Sequence, residues 1–249
     1  MQDNYGKTII FGATSGIGRA LATELAKHHK PLILAGRDEI ELQRLKANLQ
    51  IRYSIHCEAV VFELLEQRTI EQRVRSIQKQ FSDIDALYFL MGYLGNQKLA
   101  EENRQEREKI LHINYGMAVH LLSEFANYFE KRGRGKMIIV GSVAGDRGRQ
   151  SNYFYGSAKA GLHAFAQGLR NRLAKSNVHV MTVKPGFVDT AMTYGLTGLF
   201  LVAKPQLVVK NIMKAESRNK NIIYVPFYWR YIMGIIKSIP EFLFKKLSL

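Results

Sequence analysis

Short apolar runs rich in β-branched residues alternate with longer stretches of helical period along the whole of this chain. Seven of these runs have the length of a β-strand, at positions 8–11, 32–35, 57–62, 86–90, 137–140, 178–183 and 222–225. The runs are continuously apolar instead of alternating between apolar and polar residues, which is typical of strands buried on both faces. The pattern predicts an α/β fold, a doubly wound parallel sheet of about seven strands with helices on both faces.

The helical stretches predicted between the strands include 17–27, 38–48 and a long one at about 101–129. No linker, low-complexity tract or internal repeat interrupts this order, so we expect residues 1–249 to form a single domain. A chain of this length can bury a core without disulfides, which suits its one cysteine, Cys57, expected in a core strand. The seven histidines include no H-E-x-x-H or comparable ligand pair, and we expect no metal site.

The charge balance favours an anionic partner. The chain has 36 Lys and Arg against 21 Asp and Glu, and nine of these cations but only two of the acids lie in residues 204–249. Nucleic acid, membrane headgroups and phosphorylated small molecules are all compatible with such a surface. Basic residues do not interleave with aromatic ones as they do in nucleic-acid-binding modules, so we expect no nucleic-acid partner. Because no apolar run reaches the roughly 18 residues that span a bilayer, and no secretion signal opens the chain, we expect a cytoplasmic protein.

A glycine-rich turn follows the first predicted strand. Gly12, Gly16 and Gly18 lie in the segment Gly-Ala-Thr-Ser-Gly-Ile-Gly, immediately before the first predicted helix. Glycines let the chain turn tightly and approach a pyrophosphate, toward which the N–H groups and dipole of the helix then point. The spacing is G-x-x-x-G-x-G, and the Gly-Lys-Ser/Thr ending of a P-loop is missing. The turn predicts a Rossmann-type dinucleotide site; the alternative is a glycine-rich turn without a ligand.

Arg37 and Asp38 follow Gly36 at the end of the second predicted strand. An acidic residue at this strand end usually binds the adenosine ribose hydroxyls, whereas an arginine suits a 2′-phosphate. Arg37 comes first after the glycine, so we expect NADP(H) to be preferred, with NAD(H) as the alternative. The structural alternative is that Arg37 is a solvated turn residue and that Asp38 caps the next helix.

Residues suited to acid–base chemistry lie farther along the chain. Tyr155 and Lys159 are four residues apart, which places them on one face of a helix. An ammonium near a phenol stabilises the phenolate, so we expect Lys159 to lower the pKa of Tyr155 from its ordinary value of about 10. Ser142 follows the fifth predicted strand, at the edge where open α/β sheets bind ligands, and Asn114 lies within the long predicted helix. Pro185 begins a turn at the same edge, after the sixth strand.

In this order and spacing, the residues resemble the short-chain dehydrogenase/reductase family over essentially the whole chain. The family's catalytic asparagine, serine, tyrosine and lysine are matched by Asn114, Ser142, Tyr155 and Lys159. The resemblance implies that Tyr155 delivers a proton to a substrate carbonyl that Ser142 also binds. It further implies that Lys159 holds the nicotinamide ribose and that Asn114 supports a water relay to solvent. The positions implied for the cofactor are Gly12, Thr14, Ser15, Gly16, Ile17, Gly18, Arg37, Asp38, Glu63, Leu64, Gly92, Tyr155, Lys159, Pro185, Gly186, Val188 and Thr190.

Two segments depart from the family's pattern. The Asn-Asn-Ala-Gly segment after the fourth strand is replaced by Leu90 to Tyr93, and the aspartate near the end of the third strand appears as Glu63. Both departures concern cofactor packing, so we expect them to affect cofactor affinity more than the chemical step.

The loop before Tyr155 carries a narrower resemblance. Residues 145–153, together with Trp229 and the basic C-terminus, are similar to the decaprenylphosphoryl 2-keto-pentose reductases, which reduce a keto-sugar on a polyprenyl phosphate carrier. This resemblance implies that Arg147 and Arg149 lie beside the substrate, where a guanidinium can hold a phosphate. The alternative is that both are solvated loop charges.

The C-terminal segment, residues 227–249, combines apolar residues at helical spacing with Lys and Arg. Such a segment is typical of a helix that lies on an anionic membrane surface, which here would be the inner face of a membrane. The alternative is that it packs over the substrate pocket or at an oligomer interface.

The family resemblance implies an NAD(P)H-dependent carbonyl or alcohol oxidoreductase that reduces a keto group with NADPH. A lipid-phosphate-linked keto-sugar is the first candidate substrate, and a ketosteroid, a 3-ketoacyl chain or a small ketone are alternatives. An alternative of another class is a non-catalytic NADPH-binding sensor. The family's usual oligomer uses the helices near Asn114 and Tyr155, which implies a homodimer or homotetramer.

Overall fold

The computed structural model describes residues 6–63, 69–195 and 198–247. Each predicted strand is present, as β1 (Lys7–Phe11), β2 (Leu32–Gly36), β3 (Cys57–Val61), β4 (Ile84–Phe89), β5 (Gly135–Val140), β6 (Val178–Pro185) and β7 (Ile222–Val225). The strands form one parallel sheet with the order β3-β2-β1-β4-β5-β6-β7, which confirms the predicted doubly wound fold. The strand order reverses between β1 and β4, and this is where such sheets open a ligand crevice at their carboxyl edge.

The helices cover both faces of the sheet. They are α1 (Gly16–Lys27), α2 (Glu39–Tyr53), α3 (Ile70–Gln80), α4 (Gln97–Glu102), α5 (Arg104–Leu111), α6 (Met117–Arg132), α7 (Tyr153–Leu173), α8 (Pro205–Glu216), α9 (Trp229–Ser238) and α10 (Glu241–Phe244). Helices α3, α6 and α7 pack on one face, and α1, α2 and α8 pack on the other. Within the described ranges, none of these helices is both long and apolar enough to cross a membrane.

The prediction of one continuous helix at 101–129 is wrong. The helix is divided at Asn103, whose side chain accepts a hydrogen bond from the Glu106 N–H at 3.0 Å and so begins α5. A second irregularity follows at residues 112–116, which form one π-helical turn between α5 and α6. Asparagine favours helix starts because its side chain competes with the backbone for hydrogen bonds, a local effect that apolar periodicity does not reveal.

Side chains that alternate along each strand pack into the two halves of the core, one on each face of the sheet. On β1, Ile9 and Phe11 point to the α3/α6/α7 face, and Ile10 points to the α1/α2/α8 face. The Phe11 ring makes an edge contact with Phe125 of α6 at a centroid distance of 5.7 Å.

Cys57 is fully buried as predicted, and burial raises the pKa of its thiol to about 12. In the part of the chain that the structure describes, no group of three His, Cys, Asp or Glu side chains is arranged to hold a metal ion.

Candidate active site

Two adjoining cavities lie at the carboxyl edge of the sheet. The first, of about 390 Å³, is bordered by the glycine turn after β1 and by the ends of β2 and β3. The second, of about 170 Å³, is bordered by the segments that follow β5 and β6 and by the start of α7. Leu90, Met91, Gly92 and Met192 line both. We call them the cofactor cavity and the substrate cavity, respectively.

The glycine turn brings backbone close to backbone at the start of α1. Gly12 has a φ of +86°, which residues with a side chain rarely adopt. A Cβ atom on Gly18 would lie 2.2 Å from the carbonyl oxygen of Gly12, so only glycine allows this approach. The Ser15 hydroxyl accepts a hydrogen bond from the Gly18 N–H at 3.0 Å and caps α1. The N-terminus of a helix, a tight glycine turn and a cavity in front of them are together suited to a pyrophosphate.

Arg37 and Asp38, the two neighbouring candidates for recognising the adenosine ribose and its 2′-phosphate, have different environments at the end of β2. Asp38 caps α2, because its carboxylate accepts a hydrogen bond from the Glu41 N–H at 3.0 Å. Arg37 is exposed and lines the cofactor cavity, together with Thr14 and Glu63. The expected position Leu64 lies outside the described residues. The structure therefore leaves Arg37 facing the cavity and assigns Asp38 a capping hydrogen bond.

Ser142, Tyr155 and Lys159 all line the substrate cavity. Ser142 follows β5 and caps a short 3₁₀ turn, where its hydroxyl oxygen accepts a hydrogen bond from the Ala144 N–H at 3.1 Å. Tyr155 lies in the first turn of α7, and Lys159 one turn later, with its ammonium 5.5 Å from the centre of the Tyr155 ring. The fold thus brings Ser142, which lies 13 residues before Tyr155 in the sequence, to the same cavity wall as Tyr155 and Lys159.

Burial dominates the acid–base properties of this wall. It raises the pKa of Tyr155 to about 12, and a hydrogen bond with Ser142 offsets only part of the effect. It lowers the pKa of Lys159 to about 8. The expectation that Lys159 lowers the pKa of Tyr155 below its ordinary value is therefore wrong for this structure, because removing a phenolate from water costs more than its neighbours return. At neutral pH the Tyr155 hydroxyl carries its proton.

A buried polar cluster supports Ser142 from behind. The backbone N–H of Ser142 points to a ring nitrogen of His163 at 3.4 Å, and the other ring nitrogen lies 3.6 Å from the Asp146 carboxylate. That carboxylate also accepts hydrogen bonds from Lys184 and Tyr224, each at 2.5 Å. Burial and the nearby Lys184 ammonium lower the pKa of His163 to about 3, so the imidazole is neutral and able to accept the bond from Ser142.

Asn114 is fully buried and holds the loop that follows β4. Its amide nitrogen donates to the carbonyls of Tyr93 at 2.6 Å and Ile110 at 2.8 Å, and its oxygen faces the Tyr93 N–H at 3.2 Å. A Cβ atom on Gly92 would lie 3.1 Å from the Asn114 oxygen and 3.3 Å from the Lys159 ammonium. The divergent segment Leu90 to Tyr93 therefore keeps a glycine where the chain passes closest to both side chains.

The turn after β6 forms the opposite wall of the substrate cavity. Pro185, Gly186, Val188 and Thr190 line it, and so does Ile17 of the glycine turn. The turn is held from outside by Trp229, since a Cβ atom on Gly186 would lie 1.9 Å from the indole nitrogen. A Cβ atom on Gly16 would likewise lie 2.8 Å from the Thr190 methyl group, so the two turns pack directly together.

The two arginines of the loop before α7 have different environments. Arg149 lines the substrate cavity, and its buried Nε atom has no hydrogen-bond partner among the residues that the structure describes. Burial lowers the pKa of Arg149. Arg147 points away from this cavity and donates to the carbonyls of Ile236 at 2.9 Å and Ile239 at 2.7 Å. It also pairs with Glu241 at 3.0 Å, so it joins the loop to the C-terminal helices instead of reaching the substrate side.

Among the cavity residues that were not anticipated from the sequence, three are polar or line both cavities. Asn152 lines the substrate cavity with a buried side-chain oxygen that has no partner among the described residues, and its place three residues before Tyr155 was an available signal. Met192 lines both cavities and Lys109 lines the cofactor cavity. Nothing in the local sequence of Met192 or Lys109 distinguishes them from other surface residues.

Comparison with known proteins agrees with this geometry. The family model described as short chain dehydrogenase matches residues 7–197. An uncharacterised oxidoreductase of Mycobacterium tuberculosis is 32% identical over 239 residues, which is 96% of each chain. Another, from Streptomyces coelicolor, is 30% identical over 243 residues, covering 96% of this chain and 94% of the relative.

Solved structures share the fold. A short-chain dehydrogenase from Sphingobium yanoikuyae in complex with NADPH superposes with a TM-score of 0.82 at 24% identity, covering 95% of this chain and 97% of that one. The bulky-bulky ketone specific alcohol dehydrogenase from Comamonas testosteroni gives a TM-score of 0.80 at 21% identity, with 96% of both chains covered. At these identities the likeness concerns the fold alone.

Proposed function

The chain belongs to the short-chain dehydrogenase family and is an NAD(P)-dependent oxidoreductase, and we propose that it reduces the ketone of a phosphate-bearing substrate with NADPH. The observation that carries this proposal is the common wall of Ser142, Tyr155 and Lys159, in a cavity that adjoins the cofactor cavity. The same intact set argues against a non-catalytic NADPH sensor.

In the proposed reaction, the residues of the cofactor cavity would hold NADPH, which would supply the hydride for the carbonyl carbon. The carbonyl oxygen accepts hydrogen bonds from Ser142 and Tyr155, and Tyr155 transfers its proton to that oxygen as the alcohol forms. The raised pKa of Tyr155 keeps the proton in place until then. Lys159, with a pKa of about 8, can hold a proton near the resulting phenolate and exchange it at neutral pH. Asn114 positions the loop beside Lys159, since both hydrogens of its amide are bound to backbone carbonyls.

The proposed preference for NADPH rests on the end of β2. Arg37 lines the cofactor cavity without an ion pair to any carboxylate in the described ranges, whereas Asp38 uses its carboxylate to cap α2. A guanidinium in this position suits a 2′-phosphate, and a capping aspartate is less available to ribose hydroxyls.

The proposed phosphate on the substrate rests on Arg149. A buried guanidinium nitrogen without an acceptor is costly, and an anionic ligand group would supply the missing partner. The rest of the cavity wall is largely apolar, with Leu94, Val143, Phe187 and Met192. A cavity with a cationic side chain beside apolar walls suits a lipid-phosphate-linked keto-sugar, the substrate class that we propose.

The rate of NADPH oxidation tests both the proposed reaction and the proposed substrate class. The candidate substrates are a polyprenyl-phosphate-linked keto-sugar, a ketosteroid, a 3-ketoacyl thioester and a small ketone, with Tyr155→Phe as the blank for each. We expect the phosphate-linked ketone to be reduced with the highest kcat/KM. Faster reduction of an uncharged ketone would overturn the substrate class. NADPH binding without Tyr155-dependent turnover of any ketone would favour the sensor.

We also propose that the protein forms a homodimer or homotetramer through the face near Asn114 and Tyr155. Leu111, Tyr115 and Tyr153 are exposed on this face, with 37%, 41% and 41% of their surface accessible. Large apolar side chains that cluster at the surface are typical of protein interfaces. Sedimentation velocity of the purified chain measures its mass, and a monomer at micromolar concentration would contradict the assembly.

A further inference from the structure

A basic groove runs along the β7 edge of the sheet, between α8 and α9. Its volume is about 810 Å³, and it shares no lining residue with the cofactor cavity or the substrate cavity. Among the described residues, no Asp or Glu lines it. The cations that line it are Lys184, Lys214, Arg218, Lys220, Arg230 and Lys237.

Most of this charge is not neutralised within the chain. Lys184 pairs with the buried Asp146, but the other five cations make no ion pair with any carboxylate of residues 6–63, 69–195 and 198–247. The two acids that follow residue 204 are already engaged. Glu216 is buried against Lys136, at 2.9 Å, and Glu241 binds Arg147. The groove therefore presents to solvent five cations that have no ion pair in the described ranges.

Helix α9 carries an apolar ridge beside the groove. Its inner side is anchored by Trp229 and Met233, which are buried. Tyr231 and Ile235 are four residues apart, which places both on the outward side of the helix, where they are 65% and 67% exposed. Phe227, in the turn just before the helix, is 71% exposed and adds to the apolar ridge. The groove cations Arg230 and Lys237 lie on the flank of the same helix, between the buried side and this ridge. Phe242 and Leu243 of α10, which follows α9 in the chain, are exposed as well.

We propose that the basic groove and the α9 ridge form a membrane-binding face, which takes the phosphate headgroups of anionic lipids into the groove and inserts the ridge among them. Aromatic and aliphatic side chains next to Lys and Arg are the combination that interfacial helices use. The proposal does not rest on the proposed reaction. It would nevertheless bring a lipid-linked substrate close, because Trp229 of α9 packs on Phe187 of the substrate cavity at a centroid distance of 5.6 Å.

Two other occupants match the surface less well. A second copy related by a two-fold axis would set the same five cations of each copy against one another, and like charges across an interface are strongly unfavourable. A nucleic acid would satisfy the charges but not Ile235, which has no aromatic face for stacking on bases.

Flotation of the full chain with vesicles tests the proposal. Vesicles of phosphatidylcholine alone are compared with vesicles that also contain phosphatidylglycerol, each at low and high salt. We expect binding only to the anionic vesicles, weakened by salt. Arg230→Ala/Lys237→Ala should reduce the partition coefficient about 30-fold, the equivalent of about 1 kcal/mol for each cation. Tyr231→Ser/Ile235→Ser should also reduce binding, by at least tenfold.

The control variant is Arg52→Ala/Lys79→Ala, which removes one exposed Arg from α2 and one exposed Lys from α3, two helices that do not line the groove. It should bind vesicles within about twofold of the original chain, and NADPH binding by each variant reports that the fold is retained. Tyr155→Phe should bind vesicles unchanged, so that failure of the proposed reaction and failure of this inference are distinguishable.

Several results would overturn the inference. Equal loss in the control variant would mean that net charge alone drives binding, and equal flotation with neutral vesicles would exclude headgroup recognition. Duplex DNA binding that requires Arg230 and Lys237 but not Ile235 would identify a nucleic-acid site. A dimer in solution that Ile235→Ser dissociates would identify the ridge as a contact between copies.

Discussion

On the cofactor side of the active-site edge, the close approach of backbone to backbone in the turn from Gly12 to Gly18 shapes the site. On the substrate side the site is made by side chains from elements that are distant in the sequence, such as Ser142 after β5 and Tyr155 and Lys159 on α7. A backbone site depends on where glycine is allowed, which is a local property. A side-chain site depends on burial and on which partners each group meets.

The arginines of the loop before α7 illustrate this dependence. Arg147 and Arg149 are two residues apart and chemically identical, yet Arg147 binds several acceptors of the C-terminal segment. The Nε atom of Arg149, in contrast, has no partner in the described part of the chain. Only the second is free to bind a ligand. Four predictions, two of them with a matched control variant, probe the contrast between the two sides of the site.

The largest effect is expected on the substrate side, from Tyr155→Phe. The variant retains the ring and its packing but loses the proton donor, so turnover should fall at least about 100-fold. NADPH affinity, measured by fluorescence titration, should change less than about threefold. Retention of more than about a tenth of the original kcat would show that another group delivers the proton.

The next effect distinguishes the two arginines. Arg149→Gln should raise KM for a phosphate-bearing ketone about tenfold or more, since a charge-assisted hydrogen bond is lost, and should leave Tm nearly unchanged. Arg147→Gln is the matched variant and should do the reverse. It should lower Tm by releasing α9 and α10, with KM little affected. The same change in KM for both variants would contradict a specific role of Arg149.

A smaller effect is expected on the cofactor side, from Arg37→Ala. The variant should weaken NADPH binding about tenfold and NADH binding hardly at all, because only NADPH carries the 2′-phosphate. Titration of both cofactors at two salt concentrations measures the difference. If both cofactors lost affinity equally, Arg37 would act through the shape of the turn.

The smallest effect concerns stability and has a defined pH dependence. Burial lowers the pKa of Lys159 from 10.5 to about 8, so charging this side chain destabilises the folded state. The cost is complete below pH 8, declines as pH rises because the unfolded chain then binds more protons, and vanishes above about pH 10.5.

In the absence of cofactor, Lys159→Met should therefore raise Tm at pH 7 although it removes an active-site group. The gain should shrink as the buffer is moved from pH 8 to pH 10. Lys79→Met, at an exposed position, is the control and should show no such trend. A lower Tm for Lys159→Met at pH 7 would mean that the buried ammonium has stabilising partners.

Much of the fold followed from periodicity, because seven continuously apolar runs are required to fill a sheet that is covered on both faces. The prediction of a single helix at 101–129 was wrong since Asn103 and Asn114 redirect hydrogen bonds locally, where apolar spacing carries no information. The prediction that Lys159 lowers the pKa of Tyr155 was wrong for a related reason. The spacing to Lys159 gives the distance between charges, whereas the degree of burial decides how much a charge costs.

The sequence by itself determined the parallel α/β fold, the glycine turn and the family. Continuous apolar runs indicate buried strands, and the spacing of glycines indicates the turn, so both can be recognised locally along the chain. Only the tertiary structure decided that Asp38 caps a helix while Arg37 faces the cofactor cavity, and that Arg149 faces the substrate cavity while Arg147 holds the C-terminal helices. Only the tertiary structure, likewise, aligned cations of β6, α8, the segment between α8 and β7, and α9 along one groove. The function of a polar side chain depends on which donors and acceptors surround it, and elements far apart in the sequence supply them.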